Sequence, residues 1–149
     1  MALRKPLPPT YFILTLVLQV ALHFVFPIVQ LYHSPLRWLG IALIVFGCWL
    51  NLEADGIFKK RKTTVKPFEK PSVLVADGPF RISRHPMYLG MVAIFLGIAV
   101  ACGSLVTFAA PVVFAVLMEA LFIGHEERSM EQTLGQEYRE YRRRVRRWI

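Results

Sequence analysis

Residues 6–36 and 85–118 contain no Asp, Glu, Lys or Arg. A third apolar run, residues 36–58, carries charge only at Arg37 near its start and at Glu53 and Asp55 near its end. A helix needs about 20 apolar residues to cross the hydrocarbon core of a bilayer. The pattern therefore predicts span one at about 11–32 and span two at about 36–58. As one helix, the 34-residue block at 85–118 would be about 51 Å long at 1.5 Å per residue, against a core of about 30 Å. Gly103-Ser104 divides it into a hairpin, with span three at about 87–102, span four at about 105–123 and a kink expected at Pro111. The expected fold is all-α and integral to the membrane: one domain over residues 1–149 with four transmembrane helices.

Composition agrees. With 55% hydrophobic residues and a mean hydropathy of +0.45, the chain is more apolar than the interior of a soluble domain this size can absorb. The net charge of +8 would suggest nucleic acid in a soluble protein, but here the cations flank apolar blocks. Arg4 and Lys5 precede span one, eight cations lie in the 59–86 loop, and seven follow span four. Only Arg37 falls on the other side, so 17 of 18 cations share one face. By the positive-inside rule that face is cytoplasmic, with both termini there, and no nucleic-acid partner is expected. The basic start followed by a long apolar run reads as a retained helix rather than a cleaved leader. Cys48 and Cys102 lie within or beside apolar segments, which excludes a disulfide scaffold. No Cys/His spacing suggests a metal, and no glycine-rich nucleotide loop or Ser-His-Asp arrangement is present.

Beyond span four, Met130, Leu134, Tyr138, Tyr141, Val145 and Trp148 recur at three- and four-residue steps among arginines. This predicts an amphipathic helix over 126–149, bent at Gly135, lying on the cytoplasmic surface against anionic lipid head groups. Ala93, Gly97 and Ala101, with Gly90 nearby, form a small-residue stripe expected to pack within the hairpin. Gln19 and His23 share a face of span one and are expected to make interhelical hydrogen bonds. Asp55 is expected to pair with Lys59 one turn on. Glu119, about a turn inside span four, is an ionisable group at membrane depth.

The chemistry concentrates in two places. In residues 77–90, Gly78-Pro79 marks a turn, and Pro86 fits the first position of span three with His85 at its N-cap. That positive helix end, with Arg81, Arg84 and His85, suits a carboxylate or phosphate. Glu126 and Glu127 follow span four, and the hairpin returns them to the same face. Donors on one side and paired carboxylates on the other suit a zwitterionic ligand, or a salt bridge from Arg84 that closes the bundle. Glu53, which has no cation four residues on, is a candidate to face an acceptor; among the C-terminal arginines Arg142 is a candidate to reach its head group.

The run Gly-Pro-Phe-Arg-x-x-Arg-His-Pro-x-Tyr-x-Gly at 78–90 resembles the isoprenylcysteine carboxyl methyltransferase and phospholipid methyltransferase superfamily. The resemblance continues through Glu126-Glu127 and Gly135-x-x-Tyr138-x-x-Tyr141-x-x-x-Val145-x-Arg147. It implies S-adenosylmethionine bound at the cytoplasmic end of the last two spans, with His85, Tyr88, Glu126 and Glu127 helping to form its pocket. By position at the start of span three Arg84 and Gly90 join them as cofactor-binding candidates, and Glu53 and Arg142 are the catalytic candidates on the acceptor side. The implied reaction is methyl transfer to a hydrophobic or lipid-like carboxylate, amine or thiol. The alternatives are a small proton-coupled transporter, which lacks its essential span-one glutamate here, and an NADPH-dependent membrane reductase on a related scaffold.

Overall fold

In the computed structural model, which describes residues 6–26, 35–63 and 72–149, regular structure is helical apart from one isolated parallel bridge, Ser83 to Arg146. Helix α1 (Pro8–Val25) begins three residues before the expected position 11. Pro8 and Pro9 supply its first turn, where a missing N–H is no loss. Residues 27–32 of that span lie outside the described residues. Helix α2 (Leu36–Lys60) and helix α3 (Pro86–Cys102) match the expected spans two and three closely.

Gly103 makes the hairpin turn. It caps α3 in the left-handed region at φ +66, a conformation that costs glycine little. The return leg is a 3-10 turn (Leu105–Phe108), helix α4 (Ala109–Met118) and a π turn (Glu119–Ile123). The kink expected at Pro111 is replaced by irregularity further on: Pro111 falls in the first turn of α4, where it breaks no intrahelical bond, and the π turn follows at Glu119. Helix α5 (Gly124–Leu134) continues from the π turn. α1, α2 and the helical run from Leu105 to Leu134 are long and apolar enough to cross a membrane, and α3 is a shorter apolar helix. Trp38, Phe46, Trp49, Val112 and Val116 stand exposed on their outer faces, as an apolar solvent requires. The protein is an integral membrane protein of several passes.

Packing follows the small residues. A Cβ on Gly97 would stand 2.6 Å from the Gly40 carbonyl oxygen, and one on Gly40 would stand 2.6 Å from the Ala101 nitrogen. Gly90 lies against Gly47 and Asn51 in the same seam. The stripe expected to pack within the hairpin therefore packs α3 on α2, because α2 carries glycines of its own at facing positions. The α3–α4 side is filled by aromatic rings instead: Phe95 and Phe114 are 4.9 Å apart, and Phe12 of α1 is 4.9 Å from Phe95. Gln19 of α1 reaches across as expected, its Nε2 donating to the carbonyls of Phe95 (2.9 Å) and Thr107 (3.1 Å). His23 departs from expectation: its buried Nδ1 has no hydrogen-bond partner among the described residues, and its ring packs on Phe24.

The continuous amphipathic helix expected over 126–149 is two helices and a tail. Gly135, at φ +55, separates α5 from helix α6 (Gln136–Arg144), and residues 145–149 leave helical structure altogether. Tyr138, Tyr141 and Val145 are buried against Leu74, Ala76, Met130 and Leu134. The apolar face of α6 is thus covered by protein, and its arginine face is exposed.

Gly97→Ala is expected to lower the unfolding free energy in detergent by about 1–3 kcal/mol, the usual cost of overpacking a close contact. Gly56→Ala, on α2 with nothing within 4 Å of the added carbon, is expected to be neutral or slightly stabilising. Thermal unfolding of the matched pair measures this, and equal melting temperatures would refute the glycine seam.

Candidate functional site

Where the 77–90 loop meets α5, three of its residues converge on the two glutamates. Gly78, at φ +54, starts a 3-10 turn (Gly78–Arg81) that buries Pro79 and Phe80. The Tyr141 hydroxyl donates to the Phe80 carbonyl at 2.7 Å, tying the turn to α6. The Arg84 N–H donates to the Arg146 carbonyl (3.0 Å) and the Ser83 hydroxyl to the Arg147 carbonyl (3.1 Å), so the C-terminal tail runs alongside the loop. Pro86 then opens α3 with His85 as its N-cap, as expected.

The side chains pair as follows. Arg84 and Glu127, both almost fully buried, meet at 2.7 Å. His85 Nδ1 stands 3.3 Å from Glu126 Oε2, and His85 Nε2 stands 3.5 Å from Glu127 Oε1. The Tyr88 hydroxyl donates to Glu126, and the Tyr88 ring stacks on His85. Arg147 grips Glu127 with two hydrogen bonds, 3.0 and 2.6 Å, and also pairs with Glu119, whose second oxygen accepts from the Trp148 indole at 3.2 Å. Three carboxylates thus face two guanidinium groups, and the cluster is neutral only with His85 as imidazolium. Burial alone would lower the His85 pKa, but hydrogen bonds and charge from Glu126 and Glu127 outweigh it and hold the pKa above 6.5. Burial first, and the Glu127 charge second, push the Tyr138 phenol up to about 12, so it stays neutral.

Beside this cluster lies a cavity of about 270 Å³, just under the roughly 300–1,000 Å³ of typical small-molecule clefts. Arg84, His85, Tyr88 and Glu126 form its polar end. The remainder is mainly apolar, with Pro9 of α1, Phe58 of α2, Val73, Phe80 and Met91 in its wall. At the polar end Arg84 Nε is buried with no hydrogen-bond partner among the described residues, while His85 Nε2 keeps only its long 3.5 Å contact to Glu127. A buried donor left unpaired is costly, so the Arg84 guanidinium is a group with hydrogen-bonding capacity to spare beside the cavity.

The structure brings Arg84, His85, Tyr88, Glu126 and Glu127 together. It does not bring the other three sequence candidates to the cavity. Gly90 packs on α2, because α3 buries its glycines in that seam. Glu53 is exposed on α2, one position from Ala54, which faces the bundle. Arg142 pairs with Glu131 at 3.3 Å on the outer face of the C-terminal helices, its carbonyl receiving a long bond from Arg84. Asp55 pairs with Lys59 at 2.6 Å, as expected. The sequence reading named Arg147 as the end of the motif but gave it no role beyond the arginine face, and so missed its pairing with Glu119 and Glu127. The signal for it was Glu119, whose carboxylate inside an apolar segment needs a cation. The cavity contributions of Leu7, Pro8 and Pro9 had no signal in the sequence at all.

Comparison with known proteins places these features among relatives. A family model described as phospholipid methyltransferase matches residues 36–137. Phosphatidylethanolamine N-methyltransferase of Zygosaccharomyces rouxii is 32% identical over 113 residues, which are 71% of this chain and 13% of that protein. An uncharacterized protein of Haemophilus influenzae is 32% identical over 63 residues, 42% of this chain and the whole of its own length. Among solved structures, the eukaryotic intramembrane Ras methyltransferase ICMT (isoprenylcysteine carboxyl methyltransferase) shares the fold with a TM-score of 0.69 at 22% identity. That match covers 99% of this chain and 54% of the other, so the present chain spans about half of that structure and a smaller part of the yeast protein.

The paired His85 contributes stability that is complete below its ordinary value near pH 6.5 and is lost as the pH rises through the raised folded value. Melting temperatures in detergent are expected to fall over that interval, and His85→Gln is expected to flatten the fall. A profile unchanged by the substitution would show that His85 is not the titrating group.

Proposed function

Because this chain belongs to the phospholipid methyltransferase family, we propose that it is an integral-membrane methyltransferase using S-adenosylmethionine, with a hydrophobic or lipid-like acceptor. The observation that carries this reading is the polarity of the cavity. The guanidinium of Arg84, the imidazole of His85 and the carboxylate of Glu126 stand together at one end of an otherwise apolar space. A zwitterionic amino-acid tail matches that end: Arg84 and His85 would take its carboxylate and Glu126 its ammonium. The aromatic and apolar wall suits the nucleoside. Bound there, S-adenosylmethionine supplies a methyl group activated by a sulfonium.

The chain's own residues orient and desolvate. Tyr88 and His85 hold Glu126 between them, so its carboxylate faces the cavity in a fixed direction. Glu127 is occupied by Arg84 and Arg147 and supports the site from behind. Phe58, Val73 and Met91 exclude water and offer an apolar approach for an acceptor, and positioning is a large part of what such a transfer requires.

The same reading extends to topology. We place one domain across the bilayer as four crossings, with α3, about 26 Å long at 1.5 Å per residue, as the shortest. Both termini lie on the cytoplasmic face by the distribution of cations. There the exposed arginines of α6 meet anionic lipid head groups at the interface, while its apolar face stays against the loop.

Calorimetric titration of S-adenosylmethionine and its demethylated product into detergent-purified protein is expected to show saturable binding, with none for NADPH. Glu126→Gln and His85→Ala are expected to weaken binding by about 2–5 kcal/mol, the cost of truncating one partner of a buried charge pair, with the protein still folded. Preference for NADPH would favour a reductase, and absence of binding to all three would refute the assignment.

A further inference from the structure

The last five residues do more than end the chain. They return from α6 to the loop, pair with its backbone at Ser83 and Arg84, and deliver Arg147 and Trp148 to two acidic side chains on the helical run after the hairpin. Glu119 and Glu127 stand eight residues apart, with the π turn Glu119–Ile123 between them. One guanidinium pairs with both. Trp148 fixes Glu119 from the other side and packs against the cluster of Phe95, Phe114 and Phe122. The tail is therefore anchored at its backbone, its indole and its cation.

We propose that Arg147 is a positioning residue for the cavity: held by Glu119, it locks Glu127 in the orientation that sets Arg84 and His85 at the polar end. The hydrogen-bond inventory carries the argument. Arg147 engages both oxygens of Glu127, and Oε1 also meets Arg84. The Glu127 carboxylate cannot rotate without breaking a bond to one arginine or the other. Arg147 itself is absent from the cavity wall, so its action is through Glu127. The charged and titratable groups around Glu127 are Arg84 and His85 from the loop, Arg147 from the tail, Glu126 on its own helix, Glu119 on the π turn and Tyr138 on α6. Removing Arg147 leaves Glu127 short of a cation, and His85 is the neighbour able to supply one by keeping its proton.

This inference rests on the methyltransferase reading only for its effect on ligand binding, and one readout is independent of ligand. Histidine-labelled protein in detergent, with the His85 resonance identified by its loss in His85→Gln, reports the His85 titration by NMR. Arg147→Ala is expected to move that titration to higher pH, and Arg147→Lys, which keeps the charge but not the two-pronged bond, to move it less. Glu119→Gln, which loosens the outer anchor without touching Glu127, is expected to weaken binding of S-adenosylmethionine in the same direction as Arg147→Ala. For Arg147→Ala the loss is expected to be on the order of tenfold to a hundredfold, as when a supporting group shifts a site by about 1 Å. An unchanged His85 titration in Arg147→Ala would overturn the proposal, as would binding that falls only in proportion to unfolded protein. If Arg147→Ala does not fold, the lysine and Glu119 variants decide by the same criteria. A wild-type protein that fails to bind S-adenosylmethionine would refute the methyltransferase reading, while the His85 titration still decides the role of Arg147.

Discussion

Everything at the polar end of the cavity hangs on one buried carboxylate. Glu127 is 5% exposed, and Arg84, Arg147 and His85 surround it. Such a group is tolerated in the interior only with partners, and removing one of them typically costs about 3–5 kcal/mol because a charge is left uncompensated. The partners come from two parts of the chain: Arg84 and His85 from the end of the loop that leads into α3, and Arg147 from the C-terminal tail. Satisfying Glu127 therefore forces two segments distant in sequence, the loop before α3 and the C-terminal tail, to converge on α5. The fold around the site is in this sense a consequence of pairing one charge.

The membrane-embedded part meets a different constraint. Between helices in lipid there is little hydrophobic gain, so association depends on close backbone approach and on polar bonds. The α2–α3 seam uses Gly40, Gly47, Gly90 and Gly97 for the first, and Gln19 supplies the second by bonding α1 to α3 and to the hairpin turn. These contacts hold α3 steady, and α3 in turn fixes where His85 and Tyr88 emerge. Rigidity in the apolar helices thus sets the geometry of a polar cluster at their end.

Charge balance joins the two regions. Glu119 lies at the end of an apolar helix, and its partner Arg147 comes from the polar tail. With Glu126 and Glu127 it makes three negative charges against two arginines, and the remaining positive charge falls to His85. The imidazole thus belongs both to the stability of the cluster and to the wall of the cavity. The zwitterionic ligand proposed for that space would meet an arrangement of opposite charges already in place, and preorganisation of this kind reduces what binding must spend on ordering.

The helical class, the positions of spans two and three, the Gly103 turn and the convergence of the 84–88 segment with Glu126-Glu127 were legible in the sequence. Each depends on local chemistry: hydrophobic run length, the φ freedom of glycine, proline at a helix start, and a hairpin that returns the chain to the same face. The choice of partner was not legible. The glycines of α3 met α2 rather than α4, the apolar face of α6 met Leu74 and Ala76 rather than lipid, and Gly90, Glu53 and Arg142 ended away from the cavity while Arg147 arrived beside it. A small-residue stripe or an amphipathic face is equally satisfied by any complementary surface, and a long arginine by any carboxylate within reach. Only the three-dimensional arrangement, through steric fit in the glycine seam and the desolvation of Glu127, selects one partner from several of the same kind.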